Sequence, residues 1–130
     1  MIHRLFSSPE AVSGPWRVIR TADDWQQVLE RSAHKPQVLL KHSIRCGTSA
    51  MAKYELEGRW PEPPADFDLV YVDVIHDRPL SNRISQDLKL VHHSPQLMVL
   101  WNGRLAFQTS HHRITADRLL QALGDLERPV

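Results

Sequence analysis

Cysteine is almost missing from this chain: Cys46 is the only one in 130 residues. An internal disulfide is therefore excluded, as is a zinc site built from several thiolates. Long apolar runs are missing too, since the hydrophobic stretches are strand-sized and fall well short of the roughly 20 residues that cross a bilayer. The N-terminal stretch contains His3, Arg4, Leu5 and Phe6 but not the apolar core of a signal peptide. No sign of charge dominates, with 16 basic residues against 15 acidic ones. Without a basic block or an aromatic-interleaved basic stripe, nucleic acid is not an expected partner. Repeats and low-complexity tracts are absent, and the Pro61, Pro63, Pro64 stretch is too short to link independent domains. What is present, 42% hydrophobic and 24% charged residues in 15.0 kDa, suffices for one core without staples. The expectation is a single domain over residues 1–130, with 1–15 as an N-terminal extension. Its expected location is the cytoplasm, where thiols stay reduced, with no membrane association.

Helical and strand-like segments alternate along the chain. After the short apolar segment Trp16 to Ile19, Thr21 can cap a helix carrying Trp25, Val28, Leu29 and Ala33 on one side, with Pro36 marking its end. Val38 to Leu40 reads as a central strand. From Cys46 to Glu57 a helix places Ala50, Met51 and Tyr54 on one face, and Gly58 is a natural stop. Phe67 to Ile75 has the β-branched and aromatic content of a buried strand. Ser81 is a candidate cap for a helix presenting Ile84, Leu88 and Val91. Gln96 to Trp101 and Arg104 to Thr109 read as antiparallel strands joined by Asn102-Gly103, a pair that readily supplies the positive φ angles of a type I′ turn. Thr115 can cap a last helix with the stripe Ala116, Leu119, Leu120, Leu123. The order β-α-β-α-β-α-β-β-α predicts an α/β protein, a mixed central sheet with helices on both faces, which is the thioredoxin-like order.

Cys46 stands where the central strand is predicted to turn into a helix, in Lys41-His42-Ser43-Ile44-Arg45-Cys46-Gly47-Thr48-Ser49. Lone cysteines usually act as small buried hydrophobes. The polar and small neighbours Arg45, Gly47, Thr48 and Ser49 suit an exposed turn better. At a helix N-terminus a thiolate is favoured by backbone amides and by the dipole, so an accessible Cys46 with a pKa below that of a free thiol is expected. Arg45 fits two roles equally, a cation that stabilises the thiolate and a solvated surface charge.

Over roughly residues 18 to 125 the chain resembles the monothiol bacilliredoxins, the YtxJ-type proteins of the bacillithiol system. The resemblance rests on Lys41-His42-Ser43 followed by Cys46 and Ser49-Ala50; on Tyr71-Val72-Asp73-Val74-Ile75 followed by Arg78-Pro79-Leu80-Ser81-Asn82; and on His93-Ser94-Pro95-Gln96 leading into a strand. Family members commonly carry Thr-Cys-Pro-Ile-Ser where this chain has Arg45-Cys46-Gly47-Thr48-Ser49. Gly47 in place of proline gives up a residue suited to the first helical turn and supplies one more backbone N–H. The resemblance implies that Cys46 attacks the bacillithiol sulfur of a mixed disulfide on a client protein, and that a second thiol then regenerates it. It also implies that the Ser94-Pro95 bond is cis, so that Ser94 pairs with substrate through its main chain. Away from the family, an X-Pro bond is cis in only about one case in twenty.

Bacillithiol carries malyl carboxylates, and two places offer donors to them. One is Arg45. The other is Arg113-Ile114-Thr115, at the helix start whose counterpart in glutaredoxin-like proteins contacts a thiol's terminal carboxylate. Partners implied by the resemblance are S-bacillithiolated proteins and a low-molecular-weight thiol, with no resident cofactor. One alternative follows from Cys46-Gly47-Thr48-Ser49, which is similar to the Cys-Gly-Phe-Ser of monothiol glutaredoxins: a carrier of a 2Fe–2S cluster held between two subunits with a low-molecular-weight thiol. Another is a thioredoxin-fold binding module with an unreactive thiol. Adjacent pairs His92-His93 and His111-His112 diverge on a strand or a helix and make no ready chelate, so no histidine is assigned to a metal.

Overall fold

The run from Val38 to Leu40 lies in the middle strand of a five-stranded sheet. The computed structural model of the chain describes residues 14–43 and 47–126. Within them the elements follow the predicted order: β1 Arg17–Val18, α1 Ala22–Arg31, β2 Gln37–His42, α2 Gly47–Arg59, β3 Asp68–Asp73, α3 Arg78–Leu88, β4 Gln96–Trp101, β5 Arg104–Ser110 and α4 Ala116–Gly124, with a 3-10 turn at His111–Arg113. Strand order is β1-β3-β2-β4-β5. The first three run parallel, and β4 and β5 are antiparallel to their neighbours.

Because side chains alternate across a strand, the two faces of the sheet build two cores. Val38, Leu40, Leu69, Tyr71, Leu97 and Val99 pack against Ala52 and Leu56 of α2 and Ala116, Leu119 and Leu123 of α4. Leu39, Val70, Val72, Met98 and Leu100 pack against Trp25 and Val28 of α1 and Leu80 and Ile84 of α3. No helix among the described residues is long and apolar enough to cross a membrane.

Local signals placed several boundaries correctly. Thr21 caps α1 in a full capping box, accepting the Asp24 N–H while the Asp24 carboxylate accepts the Thr21 N–H. Asn102 and Gly103 take φ values of 56° and 74° in the predicted turn. Their amides are anchored by Ser32, whose carbonyl accepts Asn102 N–H at 2.8 Å and whose hydroxyl accepts Gly103 N–H at 2.9 Å. Several expectations fail. Val91 lies beyond α3 and is exposed, and Leu120 of the α4 stripe is exposed as well. Gly58 does not stop α2, which continues to Arg59 because the Trp60 N–H still reaches the Leu56 carbonyl at 3.0 Å. Ser81 does not cap α3; Asp77 holds the N-cap position, Pro79 lies in the first turn and Ser81 is buried. Ala33 lies beyond α1 and is exposed, whereas Ser32 is buried. The side of α2 carrying Ala50, Met51 and Tyr54 faces solvent, with Met51 75% and Tyr54 78% exposed; Ala52 and Leu56 face the core instead.

Candidate active site

β2 carries the chain toward Cys46. Its last residue, His42, is 2% exposed and meets Tyr71 edge-on with ring centroids 5.4 Å apart. Ser43 is also buried, and α2 begins at Gly47. Cys46 and Arg45 lie outside the described residues. The described chain before them is β2 and Ser43, and after them it is α2.

The ladder between β2 and β4 ends with Lys41 opposite Gln96. Ser94 and Pro95 immediately precede Gln96 in the chain, and His42 and Ser43 immediately follow Lys41, so both segments leave the sheet at the same end of the ladder. The Ser94–Pro95 bond is cis. The Pro95 carbonyl accepts the His111 N–H at 3.1 Å, which ties this turn to the 3-10 segment. The Ser94 hydroxyl is shielded from solvent and has no hydrogen-bond partner among the described residues. The His93 and His111 rings meet edge to face, 5.4 Å apart.

Between the start of α2 and the start of α4 lies an open groove of about 720 Å³ lined by Gly47, Met51, Ala52, Glu55, His111, His112, Ile114 and Thr115. A Cβ at Gly47 would meet nothing within 4 Å among the described residues, so the space beside it at this end of the groove is open. Of the residues proposed from sequence to bind substrate, Gly47, Ile114 and Thr115 line the groove together. Arg113 is exposed but outside its lining, and Ser94 and Pro95 stand at the neighbouring turn. The Ile114 side chain is 3% exposed and belongs to the core.

Sequence reasoning overlooked the carboxylate of this groove. Glu55 Oε2 accepts the Ala116 N–H at 3.2 Å, and Thr115 Oγ accepts the Arg118 N–H at 3.2 Å. Two of the free amides that begin α4 are thus satisfied by the chain's own side chains. With 1.5 Å of rise per residue, Glu55 lies about 12 Å along α2 from Gly47, at the far end of the groove from the nucleophile's neighbour. Among the described residues no group of His, Asp and Glu side chains could hold a metal ion.

A β2-to-α2 junction bearing the lone cysteine, flanked by an X-Pro turn, on a mixed sheet with helices on both faces, defines a thioredoxin-fold redox protein. Solved structures agree. One described as a candidate oxidoreductase with a thioredoxin fold superposes with a TM-score of 0.72 at 30% identity, over 84% of this chain and 94% of its own. The Malassezia sympodialis thioredoxin gives a TM-score of 0.65 at 21% identity over 86% of this chain and 90% of its own. The Fasciola hepatica thioredoxin gives 0.64 at 17% identity, over 83% and 96%. The sequence model of the monothiol bacilliredoxin BrxC family matches residues 17–119. The chain belongs to that family.

Proposed function

We propose that this protein removes bacillithiol from S-bacillithiolated proteins by thiol-disulfide exchange at Cys46. What carries the reading is the open groove that starts at Gly47, the residue next to the only cysteine, in a chain of the monothiol bacilliredoxin family. The Cys46 thiolate attacks the bacillithiol sulfur of the mixed disulfide. The bond to the client's sulfur breaks, the client leaves as a thiolate, and Cys46 holds bacillithiol as a new disulfide. A second low-molecular-weight thiol attacks that bacillithiol sulfur and frees the Cys46 thiolate. The groove has room for the body of a small thiol, Ser94 receives the client chain through its backbone, and Arg45 and the amides from Gly47 onward stabilise the thiolate. These clients are cytoplasmic proteins, and no resident cofactor is needed.

Intact-mass analysis tests this. After incubation with a client carrying bacillithiol, the chain should gain the mass of one bacillithiol, and it should gain less adduct from a glutathionylated counterpart. No adduct from either, or a thiol-dependent brown dimer, would overturn the reading.

Glu55 bears on which thiols are accepted. A carboxylate at the far end of a bound thiol meets the Glu55 charge and an amide already taken. Glu55→Gln keeps an oxygen for the Ala116 N–H and removes the charge. It is expected to raise kcat/KM for carboxylate-bearing thiol disulfides about two- to fivefold relative to an uncharged hydroxyethyl disulfide, the size of a charge effect at a helix start. Parallel kinetics on the two substrates check this.

A further inference from the structure

Lys41 is an unusual residue for the central strand, and its surroundings connect it to the substrate-docking turn. Its side chain is completely buried on the α1/α3 face of the sheet. Nζ donates to the Ser81 carbonyl at 2.9 Å and the Ser85 hydroxyl at 2.5 Å, both on α3, and stands 3.3 Å from His92 Nδ1. Its cross-strand partner Gln96 is 1% exposed and holds the same loop one residue to either side: Gln96 Nε2 donates to the Val91 carbonyl at 3.2 Å and Oε1 accepts the His93 N–H at 3.4 Å. Residues 91, 92 and 93 are therefore each fastened by a buried polar side chain from the end of the sheet, immediately before Ser94-Pro95.

A buried ammonium is costly, and the apolar strand it occupies would accept methionine. Among the described residues no carboxylate pairs with it. We propose that Lys41 is a positioning residue for client docking, fixing through His92 the turn that offers the Ser94 main chain to the disulfide-bearing protein. This rests on the docking role given to Ser94 above. An ammonium has three N–H donors for three acceptors, the carbonyl, the hydroxyl and the unprotonated ring nitrogen. Burial lowers the Lys41 pKa to about 8. Burial, then the charges of Lys41, His93 and Arg78, lowers that of His92, which keeps its ring unprotonated and able to accept. The groups facing the ammonium are thus Ser81 and Ser85 from α3, its strand neighbours Gln96 on β4 and uncharged Val72 on β3, and His92 from the loop, and the charges of His93 and Arg78 act on His92.

The experiment compares wild type with Lys41→Met, His92→Ala and His92→Asn, the last keeping an acceptor near the place of Nδ1. Steady-state kinetics use a client carrying bacillithiol, alkylation of Cys46 by iodoacetamide reports the nucleophile alone, and hydrogen exchange reports the amides of residues 91–94. Lys41→Met and His92→Ala are expected to raise KM about fivefold, the effect of one lost hydrogen bond, with kcat and alkylation within about twofold of wild type. His92→Asn should restore the wild-type KM. In wild type KM should climb as pH passes about 8, and in Lys41→Met it should not. An unchanged KM in both Lys41→Met and His92→Ala overturns the proposal, as does a parallel loss of alkylation, which would put the effect at the thiol. His92→Ala alters only an exposed loop residue, so it decides the matter if Lys41→Met fails to fold. If wild type takes no bacillithiol, the functional reading fails separately; hydrogen exchange then decides the tie, and amides no faster in Lys41→Met or His92→Ala than in wild type overturn it.

Discussion

Cys46→Ser is expected to reduce bacillithiol transfer to the uncatalysed background, while Ser49→Ala keeps a working nucleophile. A thiolate is the attacking species in disulfide exchange, and a free cysteine with a pKa of about 8.5 already supplies some thiolate near neutral pH; a serine hydroxyl supplies essentially no alkoxide there. No other sulfur nucleophile of this kind exists in the chain, since Cys46 is its only cysteine. Position 49, three residues on, is where a dithiol enzyme keeps its resolving cysteine. With serine there, the disulfide formed on Cys46 has no internal partner and must persist until an external thiol arrives. Mass analysis of the reaction over time should therefore show the adduct accumulating when the second thiol is withheld and disappearing when it is added. Transfer retained by Cys46→Ser would refute the assignment of the nucleophile. Loss of transfer in Ser49→Ala would mean that the serine contributes more than its position.

The parts of this fold that were legible in the sequence are those fixed by contacts a few residues apart. Thr21 and Thr115 satisfy amides three positions on, and Asn102-Gly103 supplies two successive positive φ angles, so each boundary is written within a short window. Where a distant element decides, the reading failed. Ala50, Met51 and Tyr54 look like an apolar face, but the sheet turns Ala52 and Leu56 inward, and α2 is only weakly amphipathic. Gly58 ends nothing because the turn around it is completed by Leu56 and Trp60. The site divides in the same way. Gly47 and the Ser94–Pro95 turn were proposed from short motifs, whereas Glu55 meets Ala116 across 61 residues and Lys41 meets Ser81 across 40. One clue was available for Lys41: a lysine continuing the strand run from Val38 to Leu40 has to be explained by a partner.

That buried lysine also gives the protein an unusual alkaline stability profile. In the folded chain the Lys41 pKa is about 8, against 10.5 for an unburied lysine. Below pH 8 both the folded and the unfolded states carry the proton, and the folded state bears the full cost of burying an ammonium. Between pH 8 and 10.5 the folded state has released its proton while the unfolded state still holds one. Stability then rises with pH, because the unfolded state binds more protons. The gain between pH 7 and 9.5 is roughly 2 kcal/mol. Tyr71 acts in the opposite sense at higher pH: burial, reinforced by the charges of Asp73 and Glu57, raises its pKa well above that of a free phenol, so its contribution is lost only beyond about pH 10. The two windows barely overlap. Urea unfolding at pH 7, 8, 9 and 9.5 should therefore show wild type becoming more stable across the series, and Lys41→Met should show no such rise because its side chain has no proton to release. At pH 7 the variant should be no less stable than wild type, since a buried cation without a carboxylate partner among the described residues is exchanged for an apolar chain of similar length. A wild-type stability that is flat or falling over this range would mean that Lys41 keeps an ordinary pKa, and its ammonium would then hold Ser81, Ser85 and His92 throughout the working pH range of the site.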